Sequence, residues 1–203
     1  MPRKILLSFL ACALLLASAA FAQDQERPKS PPGTSSTQIG DAWIDVSYSR
    51  PILRGRTEIF GSGEEYGKGV TGGGEYWRAG ANATTRLTTE VALEVGGKKV
   101  PAGEYSLIVG LKPEEWTLVL TSQEAMETWQ GREAVEKGLL WGSYGYKPEF
   151  DVARAPMEVR KLDHSVDQMT INFLDASEGG VTLAIAWGDT VAMTRLKIAA
   201  AAK

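Results

Sequence analysis

Residues 84–95, Thr-Thr-Arg-Leu-Thr-Thr-Glu-Val-Ala-Leu-Glu-Val, alternate with a period of two, and this constrains the fold more than any other feature. Leu87, Thr89, Val91, Leu93 and Val95 share one face, while Arg86, Thr88, Glu90 and Glu94 share the other. That is the pattern of a strand with one buried face, and Gly96-Gly97 after it marks a tight hairpin turn. Similar runs follow at hairpin spacing over residues 104–111, 116–121, 168–174, 181–187 and 190–198. Another precedes them at 42–49, where Ile44, Val46 and Tyr48 alternate with Trp43, Asp45 and Ser47. Residues 152–159 read as an edge strand, because Pro156 has no N–H to give to a ladder. Helix formers dominate only over 122–137, where Thr121 and Glu124 suggest a capping box, Met126 and Trp129 a weak stripe, and Gly138 a stop. The expected fold is mostly β: an antiparallel β-sandwich or jelly roll of about eight strands with one short helical segment, in a single domain over 39–198.

The residues before this domain read differently. Arg3 and Lys4 precede an apolar run from Ile5 to Ala19, and Ala20-Phe21-Ala22 places small residues where a signal peptidase acts. The pattern predicts a signal peptide at 1–22, cleaved after Ala22, and a secreted or periplasmic product. The run is short for a bilayer and no basic stop-transfer patch follows, so no stable membrane span is expected after cleavage. Residues 23–38 are polar, with Pro28, Pro31 and Pro32, and predict a disordered tether. Residues 199–203 form an uninformative tail. The one cysteine, Cys12, lies in the apolar run, so the mature chain has neither disulfides nor thiolate metal sites to hold it. Without Arg3 and Lys4, 20 basic residues face 25 acidic ones and the formal charge moves from −3 to −5. That balance argues against a nucleic acid partner.

Chemistry concentrates near a glycine-rich break between the first two strand patterns. Residues 50–75 hold Gly55, Gly61, Gly63, Gly67, Gly69, Gly72, Gly73 and Gly74, with Ile52, Ile59 and Phe60 as anchors. Loops of this length in a small domain tend to be functional. Gly67-Lys68-Gly69-Val70-Thr71-Gly72 matches the dinucleotide fingerprint only in letters, since no strand precedes it and another glycine run follows. The single histidine, His164, sits in a polar turn pattern and excludes multi-histidine metal sites. Carboxylates near the loop (Asp45, Glu58, Glu64, Glu65 and Glu75) supply acid–base chemistry only if two of them converge. Arg50, Arg54, Arg56 and Arg78 gather around the loop, and guanidinium forks suit carboxylates, phosphates and aromatic faces. Trp77, Arg78 and Asn82 stand together in Glu75-Tyr76-Trp77-Arg78-Ala79-Gly80-Ala81-Asn82. Trp141-Gly142-Ser143-Tyr144-Gly145-Tyr146 alternates aromatics with glycines, as a binding loop or a packed corner does.

Several of these motifs resemble one family. Tyr48-Ser49-Arg50-Pro51, Arg54-Gly55-Arg56, Ile59-Phe60-Gly61, Tyr66-Gly67-Lys68, and Trp77-Arg78-Ala79-Gly80-Ala81-Asn82 are similar to the bacterial exported domain-of-unknown-function family numbered 2911. So is the run from Gly96-Gly97-Lys98 to Pro101-Ala102-Gly103-Glu104-Tyr105-Ser106-Leu107. The resemblance covers about residues 39–198, with residues 69–76 standing as an insertion. It implies export and a shared fold, and brings no activity and no catalytic residues.

The reading that follows is a non-catalytic exported β-sandwich with no cofactor, binding a small polar or glycan-like ligand on a loop face. The candidate ligand-binding residues are Arg50, Arg54, Trp77, Arg78, Asn82, Trp141, Tyr144 and Tyr146. Two alternatives stand beside it: a carboxylate-dependent hydrolase of envelope or extracellular polymer, and a structural or interaction module with no small-molecule site. The sequence sets no oligomeric state.

Overall fold

The computed structural model describes residues 28–200. The expected signal peptide, the start of the expected tether and residues 201–203 lie outside the described residues. Ten strands form among the described residues: β1 (Pro32–Ile39), β2 (Ala42–Ser49), β3 (Tyr76–Trp77), β4 (Thr85–Thr89), β5 (Leu93–Val95), β6 (Lys98–Val100), β7 (Gly103–Gly110), β8 (Trp116–Thr121), β9 (Asp151–Ser177) and β10 (Gly180–Ile198). Every strand pairing is antiparallel, along the path β1-β2-β4-β7-β8-β9-β10-β5-β6. β3 adds to β7 beyond the end of β4.

The expected antiparallel sandwich is present, and β9 is its hinge. Residues 151–157 of β9 pair with β8, and residues 158–177 pair with β10. The 27-residue strand therefore passes from one layer into the other. The layers meet over an aromatic centre. Trp77 and Trp116 from the first layer enclose Phe60, and Trp77 and Phe60 meet Trp187 of β10, with ring centroids 4.6 Å apart for Phe60–Trp116 and 6.2 Å for Trp77–Trp187. The buried polar ends are satisfied: Trp116 Nε1–H donates to the Tyr66 hydroxyl at 2.7 Å, and Trp187 Nε1–H to the Asp167 carbonyl at 3.3 Å. Phe60 and Leu53 pin the glycine-rich loop to this core, as Phe60 was expected to do.

Five sequence expectations need correction. The stretch expected as a tether is ordered from Pro32, where β1 pairs with β2 over its whole length. Its polar composition hid this. The strand is held by ladder bonds, and Ser35 Oγ donates across to the Ile171 carbonyl, so little apolar area is needed. The alternating run 84–95 is two strands rather than one: β4 lies in the first layer, and β5 lies in the second between β10 and the edge strand β6. Side-chain alternation continues through such a corner, so periodicity cannot reveal it. Residues 152–159 are not a separate strand but the start of the much longer β9, and through Met157 they form the edge expected from Pro156. Pro156 is tolerated because this half of β9 pairs on one side only. The segment 122–137 holds a five-residue helix, Arg132–Glu136, with no capping box. Thr121 ends β8, and its hydroxyl accepts from the Gln123 N–H instead. His164 likewise lies within β9, exposed, rather than in a turn between strands.

Candidate ligand groove

The short strand β3 sets the site. Successive side chains on a strand point to opposite faces, so with Trp77 driven into the core, Tyr76 and Arg78 point outward. Before them, the single-turn helix Lys68–Thr71 ends at Gly72, and the chain reaches β3 through Gly73, Gly74 and Glu75. The facing wall is the segment 141–148. Trp141 and Tyr144 exchange backbone hydrogen bonds (3.1 and 2.9 Å) around Gly142-Ser143, which makes a two-residue turn and presents Tyr144 and Tyr146. Between the two walls runs a groove of 480 Å³, lined by Glu75, Tyr76, Arg78, Ser143, Tyr144 and Tyr146 among others. A second hollow of 280 Å³ continues on the other side of Tyr76, toward Thr117 and Arg154.

One wall is locked. The Tyr146 hydroxyl donates to Asp151 at 2.8 Å and accepts from Arg154 Nη2–H at 2.6 Å. Arg154 Nε–H also donates to Asp151 at 2.6 Å, and its guanidinium lies over the Tyr76 ring. The Tyr76 and Tyr146 rings meet at 4.5 Å. Burial, then the hydrogen bond to the Asp151 carboxylate and its charge, push the Tyr146 phenol well above the usual tyrosine range. Tyr146 is therefore neutral here, with both capacities of its hydroxyl in use.

Arg78 is different. Its Nη1–H donates to the Asn82 carbonyl at 2.6 Å, and no carboxylate among the described residues lies within 4 Å. Burial lowers its pKa from the ordinary arginine value. Two other hollows hold compensated cations. In one of 370 Å³, Arg86 is bound by Glu104 and Glu127 and by the Ala125 carbonyl. In another, 680 Å³ between the 58–66 loop and the β9–β10 bend, Lys161 is bound by Asp189 at 2.8 Å. Arg78 is half-buried at a groove wall with its charge unneutralised.

The sequence motif around it now has physical roles. Trp77, 1 % exposed, is core and touches no groove. The Ala79 carbonyl accepts from Thr85 Oγ1 at 3.1 Å. At Gly80 a Cβ would stand 2.9 Å from the Ser49 carbonyl oxygen, so the loop passes against β2 only without a side chain. Asn82 takes a left-handed conformation (φ 58°) that aims its carbonyl at Arg78, and its amide is exposed. The segment is a loop anchor with one outward cation.

Of the eight expected site residues, Arg78, Tyr144 and Tyr146 line the groove. Trp141 stands behind Tyr144 and stacks near Trp129, centroids 6.0 Å apart, while Trp129 and Tyr144 are 6.3 Å apart. Tyr144 is 53 % and Trp129 46 % exposed, so these rings form an aromatic shelf beside the groove. Asn82 contributes only its backbone, and Trp77 is excluded by burial. Arg50 folds across Gly33 and donates toward the Met169 carbonyl at 3.4 Å, away from the groove. Arg54 sits exposed at a turn, outside the groove lining. Arg56 caps the core from outside, its guanidinium 5.4 Å from the Trp187 ring centre. Tyr76 and Arg154 were missed, and Ser143 lies within the expected 141–146 loop. The alternation about Trp77 was the available signal for Tyr76, but a two-residue strand is too short for periodicity to register. Of the acids near the loop, only Glu75 borders either hollow. Among the described residues no group of three His, Cys, Asp or Glu side chains is placed to hold a metal ion.

The family model for DUF2911, described as a protein of unknown function, matches residues 30–196. The chain belongs to the DUF2911 family. The matched region takes in the whole of β1, and with it the groove and both layers of the DUF2911 domain. No curated protein and no solved structure matches the chain.

Proposed function

We propose that this DUF2911 protein is exported and acts as a non-catalytic binding domain, holding a small polar or glycan-like ligand in the groove between residues 71–78 and 143–148. The observation that carries the reading is Arg78, half-buried at the groove wall with no carboxylate within 4 Å among the described residues, beside the exposed Tyr144–Trp129 shelf. Burying a charge without a partner is costly, and an incoming polar ligand removes that cost. The basic n-region, apolar run and Ala20-Phe21-Ala22 support export, with a mature chain starting at Gln23.

A thermal-shift screen of the mature chain against sugars, sugar acids, peptides and divalent ions tests binding. A true ligand at about 100 times its Kd stabilises by about 2.7 kcal/mol, and so raises Tm by about 5–10 °C for a domain of this size. Arg78→Ala should abolish the shift. A panel without any shift in wild type, or an equal shift in both proteins, would sink the assignment. Intact mass of the protein from the cell envelope or medium tests the export step, with the chain beginning at Gln23 as the expected result.

A further inference from the structure

The groove's chemistry narrows the ligand class. A guanidinium carries five N–H donors in a planar fork. At Arg78 one of these goes to the Asn82 carbonyl, and the others have no partner among the described residues. Gly142 (φ 64°) covers one face of the guanidinium: a Cβ there would lie 2.5 Å from Arg78 Cζ. The face is packed and the edge is left for recognition. A second polar group in the lining segment is also unmatched, because Thr71 Oγ1 is buried and has no hydrogen-bond partner among the described residues. Glu75 borders the same groove. Its negative charge disfavours a dianionic phosphate while accepting hydrogen bonds from hydroxyl groups. The exposed faces of Tyr144 and Trp129, 6.3 Å between centroids, suit the C–H face of a ring.

We propose that the ligand of this groove is a carboxylated saccharide, its carboxylate paired with the Arg78 fork, its hydroxyls facing Glu75 and Ser143, and a sugar ring lying on Tyr144. The inference rests on the binding function proposed above and names its ligand class. A carboxylate matches the fork in two parallel N–H···O bonds, which a neutral sugar cannot provide. The 480 Å³ groove and the 280 Å³ hollow beyond Tyr76 leave room for more than one sugar unit.

Isothermal titration of the mature chain tests this with four probes: a short galacturonate oligosaccharide, the neutral galactose oligosaccharide of equal length, inorganic phosphate, and glutamate as a carboxylate without a sugar ring. The uronate oligomer should bind, with the neutral oligomer and glutamate at least about ten-fold weaker and phosphate silent. Arg78→Lys keeps the charge but not the fork and should weaken the uronate on the order of ten-fold or more. Tyr144→Ala alters an exposed ring, leaves the fold intact, and should also weaken it. Equal binding of neutral and acidic oligomers would overturn the carboxylate assignment and leave the broader binding function standing. Tighter binding of phosphate or glutamate would also overturn it. Silence from every probe here and in the thermal screen would overturn both.

Discussion

Gly142→Ala is the sharpest perturbation of the groove, because the structure gives it two separable costs. Gly142 holds φ at 64°, where an L-residue with a Cβ loses about 1–2 kcal/mol. The new methyl group would also fall 2.5 Å from Cζ and 2.6 Å from Nε of Arg78, so the whole guanidinium must leave its seat. That breaks the 2.6 Å bond to the Asn82 carbonyl. Hydrogen bonds to charged groups contribute about 1.5–3 kcal/mol, and the lower part of that range applies because Asn82 is exposed. The single variant should therefore lose about 2–4 kcal/mol. In an Arg78→Ala background the steric cost disappears and Gly142→Ala should lose only the conformational term, about 1–2 kcal/mol. Urea unfolding of the four proteins, followed by tryptophan fluorescence, gives a coupling energy of about 1–2 kcal/mol. A coupling below about 0.5 kcal/mol would refute the claim that Gly142 seats Arg78.

Three further outcomes follow from the same geometry. Trp77→Ala should lose about 3–5 kcal/mol in chemical denaturation, while Tyr144→Ala, exposed at the groove, should change stability by less than about 0.5 kcal/mol; comparable losses would contradict their placement. A chain beginning at Gly40 lacks β1 and should melt earlier and be cut faster by protease than one beginning at Ser30, whereas identical behaviour would mean that residues 32–39 are only a tether. The raised phenol of Tyr146 favours its neutral form in the fold, so its contribution to stability is present below the unfolded tyrosine pKa of about 10 and declines as pH rises through the folded value. Absorbance titration near 295 nm should show one late-ionising tyrosine fewer in Tyr146→Phe, together with a smaller loss of stability above about pH 10.

How much of this was legible in the sequence depends on the scale of the signal. Alternation over eight residues identified β2, which buries one face, while β7 and β8 were legible as apolar runs bounded by turn residues and are covered on both faces over most of their length. The same signal misled at 84–95, where a corner at residues 90–92 sends two strands to different layers without disturbing the period. It was silent for β1, whose polar side chains contribute through a ladder and the Ser35 bond rather than through apolar area. It divided β9, since polar residues 161–167 imitate a turn while the strand bulges against Asp189. At the site, composition singled out Arg78, Tyr144 and Tyr146 because arginine and glycine-flanked aromatics mark recognition loops. It also named Arg50, Arg54 and Trp77, which share those residue types but face other neighbours. Which face a loop side chain takes is decided by tertiary contacts such as Trp77 against Phe60 and Trp187, and no local pattern encodes them.

The most direct measurement is a crystal structure of the mature chain soaked with a galacturonate oligosaccharide. The account predicts a carboxylate within about 2.7–2.9 Å of the Arg78 guanidinium nitrogens and a sugar ring against Tyr144. An ordered saccharide bound elsewhere, with the groove empty and Arg78 still bonded only to Asn82, would contradict it.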